Sequence, residues 1–187
     1  MISAVLDACV LYSASLRDFL LNLATRGLID PFWSEKIQDE WVCSLLRNRP
    51  HLKRESLEQT CRNMDIRFPN GCVRGHEAIV PMLTLPDPND RHVLAVALRS
   101  GAKYIVTFNL KHFQKTFLQP YGIEAVSPDK FVCLLIQQVP YPVILAAKTH
   151  RLSLSRPPKT VDEYLATLEK QKLPKTVAFL REHKGEL

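Results

Sequence analysis

The sequence has few glycines, no closely paired cysteines and no long apolar run, and these absences narrow the possible classes of protein. Only 6 of its 187 residues are glycine, which excludes a collagen-like or low-complexity chain. Its five cysteines are scattered and none forms a C-x-x-C pair, so we expect a reducing, cytoplasmic environment and neither a disulfide framework nor a zinc cage. No segment approaches the roughly 18 uncharged apolar residues of a membrane-spanning helix.

What is present is a chain apolar enough to build a core, with 46% hydrophobic and 24% charged residues. At this length we expect one domain of ordinary size with a short appendage. The N-terminus lacks a basic start and soon reaches a carboxylate at Asp7, so we expect no signal peptide. Residues 141–187 carry +4 of the formal net charge of +6, which fits a solvated surface and nucleic-acid binding equally well.

The hydrophobic pattern predicts alternating strands and helices. We expect strands over residues 3–7, 77–80 and 103–107, and helices over residues 11–27, 34–50, 53–66, 87–101 and 129–138. A strand, a helix and a second strand at this spacing predict a parallel sheet.

A change in composition after Pro140 and Pro142 predicts a helical extension over residues 139–187, following a domain formed by residues 1–138. We expect three short helices there, over residues 142–152, 160–171 and 174–183, with Arg156, Pro157 and Pro158 as a linker. The second helix begins with the capping-box pattern of Thr160 and Glu163.

Oxygen-bearing side chains stand where the predicted strands end. Asp7 ends the first strand, and Asn109 follows the strand over residues 103–107. Asp87 and Asp90 begin the helix that leads into that strand, and Glu40 lies within the second helix. Because ligands bind outside the carboxyl ends of parallel strands, we expect these side chains to converge at one edge of the sheet.

Each of these residues also has a structural interpretation. The two aspartates at the helix start are typical of caps, and Glu40 is typical of an exposed helix surface. Asp7 is harder to explain, because a carboxylate at the end of a buried strand is costly unless it is paired or binds a cation. His92 and His112 have no partner at metal-ligand spacing, so we expect packing or hydrogen-bonding roles for both.

Clustered carboxylates predict a hard divalent cation. Two carboxylates about 4 Å apart repel by roughly 4 kcal/mol at an effective dielectric near 20. Oxygen ligands without cysteine or histidine companions suit Mg²⁺ or Mn²⁺. Since Mg²⁺ often takes its remaining ligands from phosphate oxygens, the expected reaction is attack of water on a phosphodiester.

Four segments together resemble the acidic motifs of the PIN domain, in the order and at the separations usual for that family. They are VLDACVLYS at residues 5–13, DEW at 39–41, DPNDRHVLAVA at 87–97 and IVTFNLKHF at 105–113. Each motif is weak alone, but four in order are specific. Residues 1–138 are similar in particular to the VapC-like toxins of bacterial toxin–antitoxin pairs, and the tail resembles the helical C-terminal extension of one VapC subgroup.

The resemblance implies an α/β fold, a three-layer α/β/α sandwich with a central parallel sheet, plus an α-helical C-terminal extension. It also implies a metal-dependent endoribonuclease that cleaves single-stranded RNA. By position, Asp7, Glu40, Asp90 and Asn109 match the catalytic residues, and the first three match the ligands of Mg²⁺ or Mn²⁺.

Asp87 and Thr107 would support this site. Two residues depart from the family pattern, since Cys9 stands where relatives often have Asn or Ser, and His112 stands where many have Asp. Together with the neutral Asn109 they lower the negative charge of the site, and the number of metal ions stays open.

Basic residues near the predicted acids are candidates for RNA binding, although solvated helix ends would look the same. They are Arg47, Arg49, Lys53, Arg54, Lys111 and Lys115. Resemblance to a toxin also implies a cognate antitoxin protein, and it leaves a homodimer open.

Two other functions compete with the nuclease. In the first, the chain is a non-catalytic RNA- or protein-binding module whose basic tail binds the partner. In the second, Asp7 is the nucleophile of a phosphoaspartate enzyme, which is disfavoured because Cys9 stands where a second Asp would be expected.

Overall fold

The computed structural model describes residues 1–155 and 157–187 and contains a four-stranded sheet. The strands are β1 (Ile2–Leu6), β2 (Ile29–Phe32), β3 (Tyr104–Val106) and β4 (Glu124–Val126), in the order β2-β1-β3-β4. β1 pairs in parallel with β3, and β3 pairs in parallel with β4. The predicted parallel sheet and α/β sandwich class are therefore confirmed.

Several of the helices begin or end at local signals in the sequence. They are α1 (Ala8–Leu11), α2 (Ala14–Thr25), α3 (Glu35–Asn48), α4 (Arg54–Arg67), α5 (Arg91–Ser100), α6 (Lys115–Leu118), α7 (Pro128–Gln138), α8 (Pro140–Ser153), α9 (Val161–Lys170) and α10 (Pro174–Glu182). The side chains of Ser34 and Ser127 cap α3 and α7, and Thr160 with Glu163 forms the predicted capping box of α9. Gly101 ends α5 in the left-handed conformation. Among the described helices, none has the length and apolar run needed to cross a bilayer.

The strand predicted at residues 77–80 is wrong. The N–H groups of Ile79 and Val80 donate to carbonyl groups three residues earlier, at 3.0 and 3.2 Å. Pro81 then stands within a 3₁₀ turn over Val80–Met82. The backbone hydrogen bonds of this segment are thus made locally, which leaves none for a neighbouring strand.

The chain forms two compact units. The helical unit comprises Met1 and residues 13–29 and 127–187, and within it α2 packs against α8 while α10 packs against α7 and α9. The sheet unit comprises residues 2–12 and 30–126. In this division α2 and α7 group with the C-terminal helices. The predicted domain boundary between residues 138 and 139 stays a prediction. Of the predicted linker, Arg156 lies outside the described residues.

Apolar packing in the sheet unit positions the ends of its strands. α5 packs against β1 and β3, and α1 packs against α3. Val5, Leu6, Ile105 and Val106 are fully buried. Since Leu6 stands opposite Val106, the residues that follow β1 and β3 emerge side by side at one edge of the sheet.

Candidate functional site

A pocket of about 580 Å³ lies at the carboxyl ends of β1 and β3. We call it the acid pocket, and it is lined by Asp7, Ala8, Cys9, Tyr12, Asp39, Glu40, Trp41, Cys43, Ser44, Arg47, Asp90 and Asn109. The fold thus brings together the four residues that sequence motifs mark as catalytic, although they come from four separate segments of the chain.

Asp7 is held at the junction between β1 and α1. It is only 5% exposed, and its Oδ1 accepts a hydrogen bond from the N–H of Ala8 at 2.7 Å, so that it caps α1. Its Oδ2 accepts from the hydroxyl of Thr107 at 2.6 Å and from the thiol of Cys9 at 3.1 Å. Neutral donors therefore orient the carboxylate, and none of these three supplies a compensating positive charge.

Cys9 belongs to the same hydrogen-bond network. Burial raises the pKa of its thiol to about 12, and the charge of Asp7 acts in the same direction. Its Sγ also accepts a hydrogen bond from the N–H of Phe108 at 3.3 Å. The N–H of Asn109 donates to the Thr107 hydroxyl at 2.9 Å, which ties the loop after β3 to Asp7. Because its raised pKa keeps the thiol protonated, Cys9 is a neutral hydrogen-bond donor rather than a nucleophile.

Asp90 lies at the start of α5 among other charged groups. Its Oδ2 accepts a hydrogen bond from His112 Nδ1 at 2.7 Å, and the same nitrogen lies 3.7 Å from Asp87 Oδ2. Burial raises the pKa of Asp90 above its ordinary value, and the charges of Asp7 and Asp87 add to this effect, whereas His112 opposes it. Without a further cation, the ionised form of Asp90 is thus destabilised.

The expectation that the carboxylates lack histidine companions is wrong. Ligand atoms of Asp87, Asp90 and His112 lie within 4.8 Å of one another, and they form the only such group of three in the described part of the chain. Sequence spacing could not reveal this contact, because His112 follows Asp90 by 22 residues. The capping role of Asp87 is confirmed, since its Oδ1 accepts from the N–H of Asn89 at 2.9 Å.

Glu40 approaches the pocket from α3 and meets His92 of α5. His92 Nδ1 lies 2.7 Å from the carbonyl oxygen of Asn89, which can only accept, so this nitrogen carries the proton. The other ring nitrogen, Nε2, lies 3.2 Å from Glu40 Oε1 without hydrogen-bond geometry. The hydrogen-bonding role predicted for His92 is confirmed, and its imidazole also lines a larger pocket of about 800 Å³.

The donor set of the acid pocket fits a hard divalent cation. Asp7, Glu40 and Asp90 line the pocket with carboxylates and Asn109 with a neutral amide, but in the described part of the chain only Asp87, Asp90 and His112 form a group of three whose ligand atoms lie within 4.8 Å of one another. Oxygen donors of this kind suit Mg²⁺ and Mn²⁺, and one nearby imidazole is compatible with Mn²⁺ in particular. The negative charges of Asp7 and Asp87 near Asp90 favour the binding of a cation at this site.

The candidate RNA-binding residues do not all lie at this site. Arg47 lines the acid pocket, whereas Lys115 lines a separate pocket of about 370 Å³. Arg54 reaches Cys43, a pocket-lining residue, at 3.8 Å. The remaining three, Arg49, Lys53 and Lys111, are exposed and do not line the acid pocket.

Comparison with known families agrees with this fold. A PIN domain model matches residues 3–111, which is more than half of the chain. The chain therefore belongs to the PIN domain family. A second model, the VapC50 C-terminal domain, matches residues 128–182, so the resemblance to VapC-like toxins with a helical extension is confirmed.

One curated relative is a Mycobacterium tuberculosis protein named "Putative ribonuclease VapC50". It is 58% identical to this chain over 43 residues, which are 23% of this chain and 25% of the relative. The aligned segment thus spans about a quarter of that protein's length. No solved structure matches the chain significantly.

Proposed function

We propose that this chain is a divalent-metal-dependent endoribonuclease that cleaves phosphodiester bonds of single-stranded RNA, and that it is the toxin of a type II toxin–antitoxin pair. The observation that carries the proposal is the acid pocket, in which Asp7, Glu40, Asp90 and Asn109 surround one cavity. Family membership supports it, and the name of the M. tuberculosis relative points to the same activity.

In this proposal Asp7 and Asp90 hold Mg²⁺ or Mn²⁺, assisted by Glu40. A divalent ion bound there would stabilise the negative charge that develops on the phosphate and would make a water molecule more nucleophilic. Glu40 would orient the attacking water and accept its proton as the water oxygen bonds to phosphorus, while the bond from phosphorus to the leaving ribose oxygen breaks and that oxygen takes a proton from solvent. Asn109 is a neutral hydrogen-bonding partner at the edge of the site.

The surrounding residues hold these groups in place. Thr107 and Cys9 donate to the same oxygen of Asp7, which restricts the rotation of its carboxylate. Arg47 is the candidate RNA-binding residue closest to the chemistry, since it lines the acid pocket. Contact between its guanidinium and the RNA backbone would offset the repulsion between carboxylates and phosphates. A cognate antitoxin, a homodimer and a cytoplasmic location remain predictions.

The test is cleavage of an end-labelled single-stranded RNA by the wild type and by Asp7→Asn and Asp90→Asn in Mg²⁺ or Mn²⁺. We expect each substitution to lower the rate by on the order of 10²–10³ and EDTA to abolish cleavage. The matched control is Asp162→Asn, which alters an exposed carboxylate of α9. Equal rates in all four proteins would refute the proposal, and RNA binding without cleavage would favour the binding-module alternative.

A further inference from the structure

The acid pocket is lined by an aromatic residue, Tyr12, that has no role in the proposed chemistry. Two aromatic residues line this pocket in the described part of the chain, Tyr12 and Trp41. Trp41 is fully buried, whereas Tyr12 is partly exposed. Only the tyrosine ring can therefore meet a ligand that enters the pocket.

The ring of Tyr12 is held from two sides. Its backbone N–H donates to the carbonyl of Ala8 at 3.0 Å and ends α1, the short helix capped by Asp7. Its hydroxyl accepts a hydrogen bond from Asn48 Nδ2 at 3.2 Å, at the end of α3. Asp7 caps α1 and Glu40 lies in α3. The hydrogen bond of the tyrosine hydroxyl to Asn48 therefore links the two helices that position these two carboxylates. A ring restrained in this way loses little conformational entropy when a ligand binds.

A positively charged side chain accompanies the ring. Arg47 precedes Asn48 in α3, is exposed and lines the same pocket. Within the described residues Arg47 forms no ion pair, so its guanidinium is available to an anion. An aromatic face next to an arginine is the combination that binds single-stranded nucleic acid, in which bases stack on the ring and phosphates meet the cation.

We propose that Tyr12 is the stacking platform for one nucleobase of the RNA substrate, beside the phosphate that is cleaved, while Arg47 contacts a neighbouring phosphate. This inference rests on the proposed function and names the substrate contact of the same site. Stacking requires the ring and not the hydroxyl. It accepts any base, because every base has an aromatic face.

The experiment measures binding of a labelled single-stranded RNA octamer by fluorescence anisotropy, with each nucleotide replaced in turn by an abasic one. Asp7→Asn removes cleavage from the binding assay, and Asp90→Asn is the second background should the first fail to fold. In each background, Tyr12 is compared with Tyr12→Phe, which keeps the ring, and with Tyr12→Leu, which keeps an apolar side chain without it. Thermal unfolding establishes that each variant is folded.

We expect Tyr12→Phe to bind within about twofold of its background, because stacking needs only the ring. Tyr12→Leu should bind intact RNA roughly five- to hundredfold more weakly. At one position of the octamer, replacement by an abasic nucleotide should weaken binding to the protein with Tyr12 by a factor similar to that of Tyr12→Leu. The same replacement should leave the affinity of Tyr12→Leu almost unchanged.

The inference is overturned if the abasic penalties are the same for Tyr12 and Tyr12→Leu at every position, or if the octamer does not bind. Cleavage of the intact octamer by the otherwise wild-type protein is scored separately. Cleavage without a position that depends on Tyr12 refutes the stacking role alone. A position that depends on Tyr12, without metal-dependent cleavage, refutes the nuclease function and leaves the stacking role intact.

Discussion

Two aspartates, one in each compact unit, have opposite surroundings. Asp129 of the helical unit is 8% exposed and accepts three hydrogen bonds from one helix start. They come from the N–H groups of Lys175 and Thr176, at 3.1 and 2.9 Å, and from the Thr176 hydroxyl at 2.8 Å. The positive end of the α10 dipole faces the same carboxylate. The burial of Asp129 thus has a structural reason, since this carboxylate holds the start of α10.

Asp90 of the sheet unit has no comparable set of donors among residues 1–155 and 157–187. It accepts a hydrogen bond from His112, whose Nδ1 also lies 3.7 Å from Asp87 Oδ2, and burial together with two neighbouring negative charges raises the pKa of Asp90. Such an arrangement lowers the stability of the folded protein when no cation is bound. The comparison teaches that a buried carboxylate with all its hydrogen-bond partners is structural, whereas a carboxylate crowded by like charges is a candidate cation ligand.

The strongest test of the structural half of this comparison is Asp129→Ala. It leaves the first N–H groups of α10 without an acceptor, so we expect the free energy of unfolding to fall by about 2–4 kcal/mol. Chemical denaturation measures this change. Asp162→Ala, which removes an exposed acid at the start of α9, should cost less than about 1 kcal/mol. Equal losses in both variants would show that burial and hydrogen bonding do not distinguish Asp129.

A smaller effect concerns pH and His150 of the helical unit. Its Nδ1 lies 3.1 Å from the Tyr164 hydroxyl, and burial, with a contribution from Lys159, lowers its pKa to about 4. In the unfolded state the pKa of this histidine is near 6.5, so between about pH 6.5 and pH 4 the unfolded chain binds a proton that the folded protein does not bind. Stability should therefore fall as the pH decreases from about 6.5 toward 4.

Between pH 7 and pH 5 the wild type should lose about 2 kcal/mol more than His150→Gln, which lacks the titrating group. The measurement is the difference between the two pH profiles of unfolding free energy, so that changes due to other groups cancel. Parallel profiles would show that His150 does not remain neutral in the folded protein.

The smallest predicted effect tests the role of His112 in orienting Asp90. Because His112 donates to Asp90 Oδ2 at 2.7 Å, His112→Ala should weaken Mn²⁺ binding by about tenfold. His112→Asn keeps a donor and should recover part of the loss. The matched control is His51→Ala, which alters an exposed histidine outside the pocket. An unchanged dissociation constant in His112→Ala would remove this residue from the site.

The elements that sequence predicts well are those with local causes. Ser34, Ser127 and the pair Thr160 and Glu163 cap their helices with hydrogen bonds to residues three positions away. The positions after β1 and β3 are also predictable, since apolar runs end there at Asp7 and Thr107. These features depend on neighbours in the chain, which a sequence displays directly.

The elements that sequence misses depend on distant partners. β2 contains Pro31 and β4 begins with the exposed Glu124, and each becomes a strand through its neighbour in the sheet. The pairing of His112 with Asp90 likewise arises only when α5 and the loop after β3 come together. The family motifs indicate the carboxylates of the pocket, but the hydrogen-bond network around these carboxylates is visible only in the folded structure.

The most direct test of the account is Mn²⁺ binding, followed by electron paramagnetic resonance or calorimetry. We predict that the wild type binds Mn²⁺, that Asp90→Asn binds it at least about tenfold more weakly, and that Asp129→Asn binds it as the wild type does. Absence of Mn²⁺ uptake by the wild type, or equal affinity in Asp90→Asn, would contradict the assignment of the acid pocket as a metal site.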